Sequence, residues 1–474
     1  MHRRRLATAT ALTAALALLA AGPASAREQR VVVKTPAGPG PAQFNQVWVD
    51  KYGPKKGKRV LVLMPGTIAG SGNFTLVARH LVKQVKGLQV WAIDRRSQAL
   101  EDTEMFAKAL RGEVSLQQMF DYYLGWITGA TPPDHYDLVN PADHPYAREW
   151  GMKVALDDAR AVVKQARGKG KKKRKVILGG HSLGASLAVA YSAWDFNGRP
   201  GHKDIAGIVA IDGGLLRSFT QLDDVAETQQ RLDELNSGNP FADLINTGFA
   251  EGTGLFAEMG GIFARLAPDQ SATTLQAFPL LPAQFNPGFP VTNEALFGHA
   301  FDRDTSPPNL GLIHMNGGGL AASGDPRPWV DGGVTPVARL AQTFGQEPAN
   351  GVEWFFPRRL TIDTDAASPM ARTESAELLG LRLFHTKKID DPLYVIQTDL
   401  TGGRVLQGGR NLIKRSKITK KESMLVNADP EQAHLDPLLA APKKNKFLRT
   451  VDDFLRKSLG GKGKGKKRKG KKRK

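Results

Sequence analysis

The chain has 474 residues, of which 24% are charged and none is cysteine, so disulfides and a lipidated cysteine anchor are excluded. Its formal net charge of +20 is confined to short stretches: ten Lys or Arg lie in residues 461–474, six in 169–175 and three in 3–5. The remainder is close to neutral, and no base-reading or base-stacking module accompanies the basic runs. Specific recognition of nucleic acid is therefore not expected.

The first 26 residues have the pattern of a signal peptide. Three arginines precede an apolar stretch at residues 6–21, which is too short to span a membrane stably, and Ala24-Ser25-Ala26 follows as a cleavage site. We therefore expect a secreted protein from which residues 1–26 are removed. No later apolar run is long enough for a transmembrane helix.

The next part of the chain alternates short apolar strands with helical segments. A strand, a helix and a strand at this spacing predict a right-handed parallel crossover. Strands are predicted at residues 30–34, 46–50, 59–64, 88–93, 176–180 and 205–211, and helices at 73–86, 101–126, 149–167 and from 185 onward.

The alternation stops after Asp212. Helical patches at residues 222–235, 239–266 and 335–344 are mixed with Gly/Pro turns, so we expect residues 213–390 to form one large, mainly helical cap. Regular order returns at residues 391–459, with strands at 393–397 and 423–427, a helical turn at 408–415 and a closing helix at 447–459. Residues 27–212 and 391–459 then make one core, and the Lys/Gly tail at 460–474 is expected to be disordered.

Ser182 stands at the junction of a predicted strand and helix, in Gly180-His181-Ser182-Leu183-Gly184. A G-x-S-x-G turn in this setting holds a serine on a strained elbow, with its hydroxyl clear of the sheet. Gly180 and Gly184 have no Cβ, so the strand and the helix can approach closely around the turn. This pattern predicts a nucleophilic serine.

Four short motifs follow predicted strands in this order: Leu63-Met64-Pro65-Gly66-Thr67, Ile93-Asp94-Arg95, Gly180-His181-Ser182-Leu183-Gly184 and Gln432-Ala433-His434-Leu435-Asp436. Together they resemble the α/β-hydrolase superfamily, in particular secreted bacterial esterases and lipases with a large cap insertion. The resemblance implies an α/β fold: a doubly wound, mostly parallel eight-stranded sheet with the cap between strands 6 and 7. One departure is Met64-Pro65-Gly66, where many members have His-Gly.

A serine nucleophile needs a base and an acid that orients the base. His434 follows the last predicted strand, where the superfamily has its base, whereas the other histidines, His181 among them, lie in places less suited to that role. Asp399, after the seventh strand, is the predicted acid. Asp212, at the end of the sixth strand, is the alternative acid, and Asp390 and Asp391 are weaker candidates.

The oxyanion of the reaction needs backbone donors. The resemblance places one at the Leu183 N–H and the other at the Thr67 or Ile68 N–H. The sequence contains no H-E-x-x-H, P-loop or strand-linked G-x-G-x-x-G motif, so no metal and no cofactor is expected.

These features predict a secreted serine hydrolase that cleaves small-molecule or lipid carboxylic esters. Two alternatives remain open at this point. A peptidase or acyltransferase would use the same residues, and a non-catalytic protein would use the basic tail to bind an anionic cell-envelope surface. A serine nucleophile disfavours epoxide hydrolase and dehalogenase chemistry, which uses an aspartate on this scaffold.

Overall fold

A computed structural model describes residues 28–170, 173–214 and 222–459. The predicted signal peptide, the predicted basic tail and the first residues of the predicted cap after residue 214 lie outside the described residues. In the described ranges, no helix is both long enough and apolar enough to cross a membrane.

The centre of the molecule is an eight-stranded sheet. Its strands are β1 (Gln29–Lys34), β2 (Gln46–Tyr52), β3 (Arg59–Met64), β4 (Leu88–Ile93), β5 (Lys175–His181), β6 (Ile208–Ile211), β7 (Leu393–Gln397) and β8 (Ser423–Asn427). Their order in the sheet is β1-β2-β4-β3-β5-β6-β7-β8. β2 pairs antiparallel with both β1 and β4, and all other neighbours are parallel. The predicted mostly parallel, eight-stranded sheet is confirmed.

Helices cover both faces of the sheet, because successive residues of a buried strand point to opposite sides. In β3, Leu61 and Leu63 belong to one apolar cluster, whereas Val60 and Val62 belong to the other. The helices are α1 (Thr75–Gln84), α2 (Glu104–Leu110), α3 (Leu116–Tyr123), α4 (Met152–Arg167), α5 (Leu183–Ala193), α6 (Val225–Ser237), α7 (Gly252–Leu266), α8 (Thr273–Gln276), α9 (Asn293–Phe301), α10 (Val337–Phe344), α11 (Arg358–Ala366), α12 (Glu374–Leu378), α13 (Arg404–Arg415), α14 (Asp436–Leu439) and α15 (Lys446–Leu459).

Two predicted helices are shorter than expected. The segment at 101–126 is divided into α2 and α3, because Gly112 has a φ of 74° and Ser115 starts α3 with a capping box to Gln118. The segment at 239–266 is helical only from residue 252, since Asn246 and Gly248 have left-handed backbones before it. Residues with positive φ cannot continue a right-handed helix.

The segment between β6 and β7, predicted as one cap, packs in two places. α7, α9 and α10 contact one another and belong to the apolar cluster that also contains α1, α2 and α15. In contrast, α6, α11 and α12 form a group in which α11 contacts α4 and α5, beside the other face of the sheet. Among the described residues, those of α7, α9 and α10, and none of α6, α11 or α12, line the cavity next to Ser182 at the carboxyl ends of the parallel strands, where ligands bind in open α/β sheets.

Candidate active site

Ser182 lies on a strained turn between β5 and α5. Its φ of 54° and ψ of −125° are a conformation that L-residues rarely adopt. A Cβ on Gly180 would lie 2.3 Å from the carbonyl carbon of Gly184, and one on Gly184 would lie 2.0 Å from the carbonyl oxygen of Met64. The turn therefore requires glycine at both positions, as the sequence predicts.

Asp212 lies against His434 at the carboxyl edge of the sheet. The Nδ1–H of His434 donates to Oδ2 of Asp212 at 2.6 Å, and both side chains are almost completely buried. The Thr398 backbone N–H donates to Oδ1 at 2.6 Å, and the Thr398 hydroxyl donates to Oδ2. With Nδ1 protonated, Nε2 is the basic nitrogen of the ring.

The environment of Asp212 keeps its carboxyl group ionised. Burial by itself would raise the pKa of Asp212, but the hydrogen bond and charge of His434, together with the Thr398 donors, outweigh burial and lower the pKa. An ionised, buried carboxylate can stabilise an imidazolium at His434 during a reaction.

The structure contradicts the predicted pairing of Asp399 with His434, since His434 is hydrogen-bonded to the alternative, Asp212. Asp399 has a half-exposed side chain that pairs with Arg303 at 2.7 Å. The reason is local: after β7 ends at Gln397, Thr398 uses its N–H and hydroxyl to bind Asp212, and the chain then turns away at Asp399. Asp390 and Asp391 precede β7 and so lie at the opposite edge of the sheet.

His181 has a role that sequence reasoning missed. Its Nε2–H donates to the backbone carbonyl oxygen of His434 at 2.9 Å, and the two ring centroids are 4.4 Å apart. Burial, followed by the charge of His434, lowers the pKa of His181 to about 3, so this ring is neutral at neutral pH. His181 therefore orients the loop that carries His434. The one sequence feature that could have indicated this contact is the position of His181 directly before Ser182.

The loop after β3 is held on two sides. Arg95 donates to the carbonyl oxygens of Pro65 at 2.6 Å and of Gly66 at 2.7 Å, and it also pairs with Glu353. From the insertion, the Gly351 carbonyl accepts a hydrogen bond of 3.0 Å from the Gly70 N–H. These contacts fix the loop that contains Thr67 and Ile68.

The predicted oxyanion donors lie near Ser182: Leu183 is the next residue in the chain, and Thr67 and Ile68 line the same cavity. Leu183 is the first residue of α5, so its N–H has no acceptor within the helix. Thr67 and Ile68 line the same cavity as Ser182, and Ile68 has a φ of 50°. Donation to an oxyanion by Leu183 and by Thr67 or Ile68 stays a prediction.

An apolar cavity lies between the sheet edge and the α7–α10 part of the insertion. Its volume is about 1170 Å³, open solvent included, and Ser182, His181 and His434 are in its wall. Asn73, Thr253 and Asn293 add a few polar side chains, but most of the lining is aliphatic or aromatic. The apolar lining includes Phe256, Leu275, Phe297, Phe301, Leu310 and Phe344.

Comparison with known proteins gives one family. A family model described as "Alpha/beta hydrolase family" matches residues 61–355. A search of curated proteins found no match.

Solved structures cover the chain at low identity. They include an epoxide hydrolase from an endophytic Streptomyces, with 12% identity over 91% of this chain and 96% of that chain at a TM-score of 0.44. Epoxide Hydrolase A from Mycobacterium thermoresistibile has 13% identity over 91% and 98%, at 0.41. A monoacylglycerol lipase from Paleococcus ferrophilus has 11% identity over 91% and 99%, at 0.37. Identity at this level says nothing about the substrate of this chain.

Proposed function

The chain belongs to the alpha/beta hydrolase family, and we propose that within it the chain is a secreted serine hydrolase that cleaves carboxylic esters. The observation that carries this proposal is the arrangement of Ser182, on its strained elbow, with the buried His434–Asp212 pair in the wall of one cavity. A serine, a histidine and an orienting carboxylate activate a hydroxyl nucleophile.

The proposed reaction has two steps. In the first, Nε2 of His434 takes the Ser182 proton while Oγ attacks the ester carbonyl, and the alcohol leaves with that proton. In the second, water attacks the acyl-enzyme with His434 again as base, and the acid and free Ser182 are released. The Leu183 and Thr67 N–H groups would stabilise the oxyanion in both steps.

A serine nucleophile does not suit epoxide opening. Attack of Ser182 on an epoxide carbon would give an ether, which has no carbonyl for water to attack, so the enzyme would remain alkylated. An acyl-enzyme ester can be hydrolysed, and this difference supports ester cleavage.

The cavity lining supports an apolar acyl group over a peptide. Peptide substrates carry backbone donors and acceptors that need partners, whereas this cavity is mostly aliphatic and aromatic. An acyltransferase would use the same residues and differs only in the acceptor, an alcohol in place of water. Envelope binding through residues 460–474 is a separate hypothesis, tested by removing the tail and measuring retention on cells.

The direct test is turnover of p-nitrophenyl esters and matching p-nitroanilides by the mature chain. We expect ester turnover that falls by about 10⁴-fold or more in Ser182→Ala, because the nucleophile is lost. Ser237→Ala, an exposed serine at the end of α6, is the control and should keep full activity. Equal turnover by Ser182→Ala and the unaltered protein would exclude the proposal.

A further inference from the structure

We propose that His202, Asp390 and Asp391 form a binding site for one divalent transition-metal ion of the Zn²⁺ class. This site is separate from the cavity above Ser182, and it does not depend on the proposed hydrolase function.

The sheet topology brings these residues together. His202 lies in the turn Gly201–Asp204 before β6, and Asp390 and Asp391 come directly before β7. β6 and β7 are parallel neighbours, so the residues before them meet at the amino-terminal edge of the sheet. At the other ends of the same strands, Asp212 and Thr398 are hydrogen-bonded to each other. The metal site would therefore lie across the sheet from the catalytic residues.

The three side chains already converge. Each offers one ligand atom, and these atoms all lie within 4.8 Å of one another. His202 Nδ1 and Asp390 Oδ1 are 3.1 Å apart. Ligand atoms around a tetrahedral Zn²⁺ at about 2.0 Å stand roughly 3.3 Å apart, so the site needs only a modest contraction. The half-exposed Asp390 side chain has room to move toward the other two ligands.

Two buried polar atoms in this cluster lack a hydrogen-bond partner among the described residues. They are Oδ2 of Asp391, whose residue is 7% exposed, and Nε2 of His202, whose residue is 2% exposed. A buried carboxylate without a partner is costly, and native structures rarely leave one unexplained. The nearest cation at the exposed side, Lys203, is 3.9 Å from Asp390. A divalent cation would supply the missing partner for Asp391.

The ligand types indicate which ion fits. One imidazole with two carboxylates suits Zn²⁺ and similar transition metals, whereas Ca²⁺ and Mg²⁺ prefer oxygen ligands alone. Water can complete the coordination from the side of Asp390. Because the ligands lie before two neighbouring strands, the bound ion would tie β6 to β7 and stabilise the fold. No local sequence motif could have predicted this metal site, since His202 and Asp390 are 188 residues apart.

The test uses the mature chain, stripped with a chelator and then equilibrated with Zn²⁺. We measure bound zinc per chain after desalting, the dissociation constant and the melting temperature. We expect one zinc per chain and a higher melting temperature. Asp390→Asn should raise the dissociation constant by at least about tenfold, and its exposed position leaves the fold intact. Asp391→Asn and His202→Gln should do the same.

His135→Gln is the matched control. His135 is another histidine beside an aspartate, with Nδ1 3.5 Å from Asp137, but it is exposed and lies outside the proposed site. This variant should bind zinc as the unaltered chain does. Failure of the unaltered chain to bind stoichiometric zinc would overturn the proposal. Zinc binding at full affinity by Asp390→Asn would also overturn the proposal. The same holds if bound zinc is lost only when His434 is replaced.

Discussion

Asp212 directly follows β6 and has a φ of 41°, and each of its two carboxylate oxygens accepts at least one hydrogen bond from His434 or Thr398. This backbone conformation costs free energy, and the hydrogen bonds to the Asp212 carboxylate offset that cost. The pair also fixes the tautomer of His434, because Nδ1 must carry the proton that it donates. In the proposed mechanism, the basicity of Nε2 follows from this arrangement.

The first prediction separates the two candidate acids. Asp212→Asn should reduce kcat for ester hydrolysis by about 10⁴-fold, because an amide NH₂ favours the wrong tautomer of His434. Asp399→Asn is the paired control and should change kcat by less than about twofold, since only an exposed ion pair with Arg303 is lost. Steady-state kinetics on one ester decides the matter. A large loss in Asp399→Asn with an active Asp212→Asn would contradict the assignment.

Asp436, two residues after His434, ties the histidine loop to the insertion. Its carboxylate accepts hydrogen bonds of 2.6 Å from the Ala433 N–H and from the Thr335 hydroxyl. Burial raises the pKa of Asp436 to about 7 in spite of these donors. The ring of His434 is instead hydrogen-bonded to Asp212.

The second prediction concerns pH. A carboxyl whose pKa is raised in the folded state binds more protons there than in the unfolded state, where its pKa is about 3.9. The contribution of Asp436 to the free energy of unfolding should therefore fall as pH rises from about 4 to about 7, and it should add no further slope above that. Urea unfolding across this range should show a smaller fall in Asp436→Asn than in the unaltered chain. Asp137→Asn, an exposed aspartate, is the control. Identical slopes in all three proteins would refute the prediction.

At the scale of elements, the elbow is a three-way contact of β3, β5 and α5. Gly184 is packed so closely against Met64 that the first turn of α5 touches the end of β3. This packing sets the distance between Ser182 and the loop that carries Thr67. The position of Ser182 therefore depends on the contact between Gly184 and Met64, neither of which has a reactive side chain.

The third prediction follows from this packing. Gly184→Ala should lower the free energy of unfolding by about 3 kcal/mol or more, because its Cβ would lie 2.0 Å from a backbone oxygen. Gly319→Ala is the control, since nothing lies within 4 Å of its Cβ and its backbone is not left-handed. Chemical denaturation measures both. A Gly184→Ala protein as stable as Gly319→Ala would show that the contact is not as close as described.

The strands were predictable because each contains a short apolar run that ends in a turn, and the central strands β3 and β4 are almost entirely buried. Parts of the insertion were not predictable, and α11 (Arg358–Ala366) shows why. Its sequence is rich in charged and β-branched residues, and it is helical because Leu360 and Ile362 pack in the apolar cluster that contains α4 and α5. Tertiary packing of this kind overrides local propensity.

Among the candidate site residues, the positions of Ser182 on its elbow and of His434 after the last strand were predictable from motifs, whereas the aspartate that pairs with His434 was not. Both Asp212 and Asp399 follow neighbouring parallel strands and so start from the same edge of the sheet. What separates them is the direction of the chain at Thr398, which binds Asp212 and carries Asp399 to the surface. The residues around Thr398 do not by themselves indicate the direction in which the chain continues.

At the scale of the whole molecule, the cavity exists only because the insertion and the core meet. Ser182 and His434 come from the core, and most of the apolar wall comes from residues between α6 and α11. Under the proposed function, the core would supply the reacting groups and the insertion would set the substrate preference. Changes in the insertion should therefore alter the acyl preference and leave the catalytic residues in place.

The fourth prediction tests this division. Ala257 lies in α7 and lines the cavity, so Ala257→Leu should occupy space that a long acyl chain needs. We expect kcat/KM for p-nitrophenyl palmitate to fall by about tenfold relative to the acetate, the loss of roughly 1.4 kcal/mol of binding. Ala161→Leu, a half-buried helical alanine of α4 outside the cavity, should leave the ratio unchanged. An unchanged acyl preference in Ala257→Leu would contradict the account.

The most direct test of the central claim is covalent capture of the nucleophile. The mature protein is treated with a fluorophosphonate, digested and mapped by mass spectrometry. We predict a single stoichiometric adduct on Ser182, formed much more slowly in His434→Ala because the base is absent. No adduct, or an adduct on another residue that persists in Ser182→Ala, would contradict a serine hydrolase mechanism at this site.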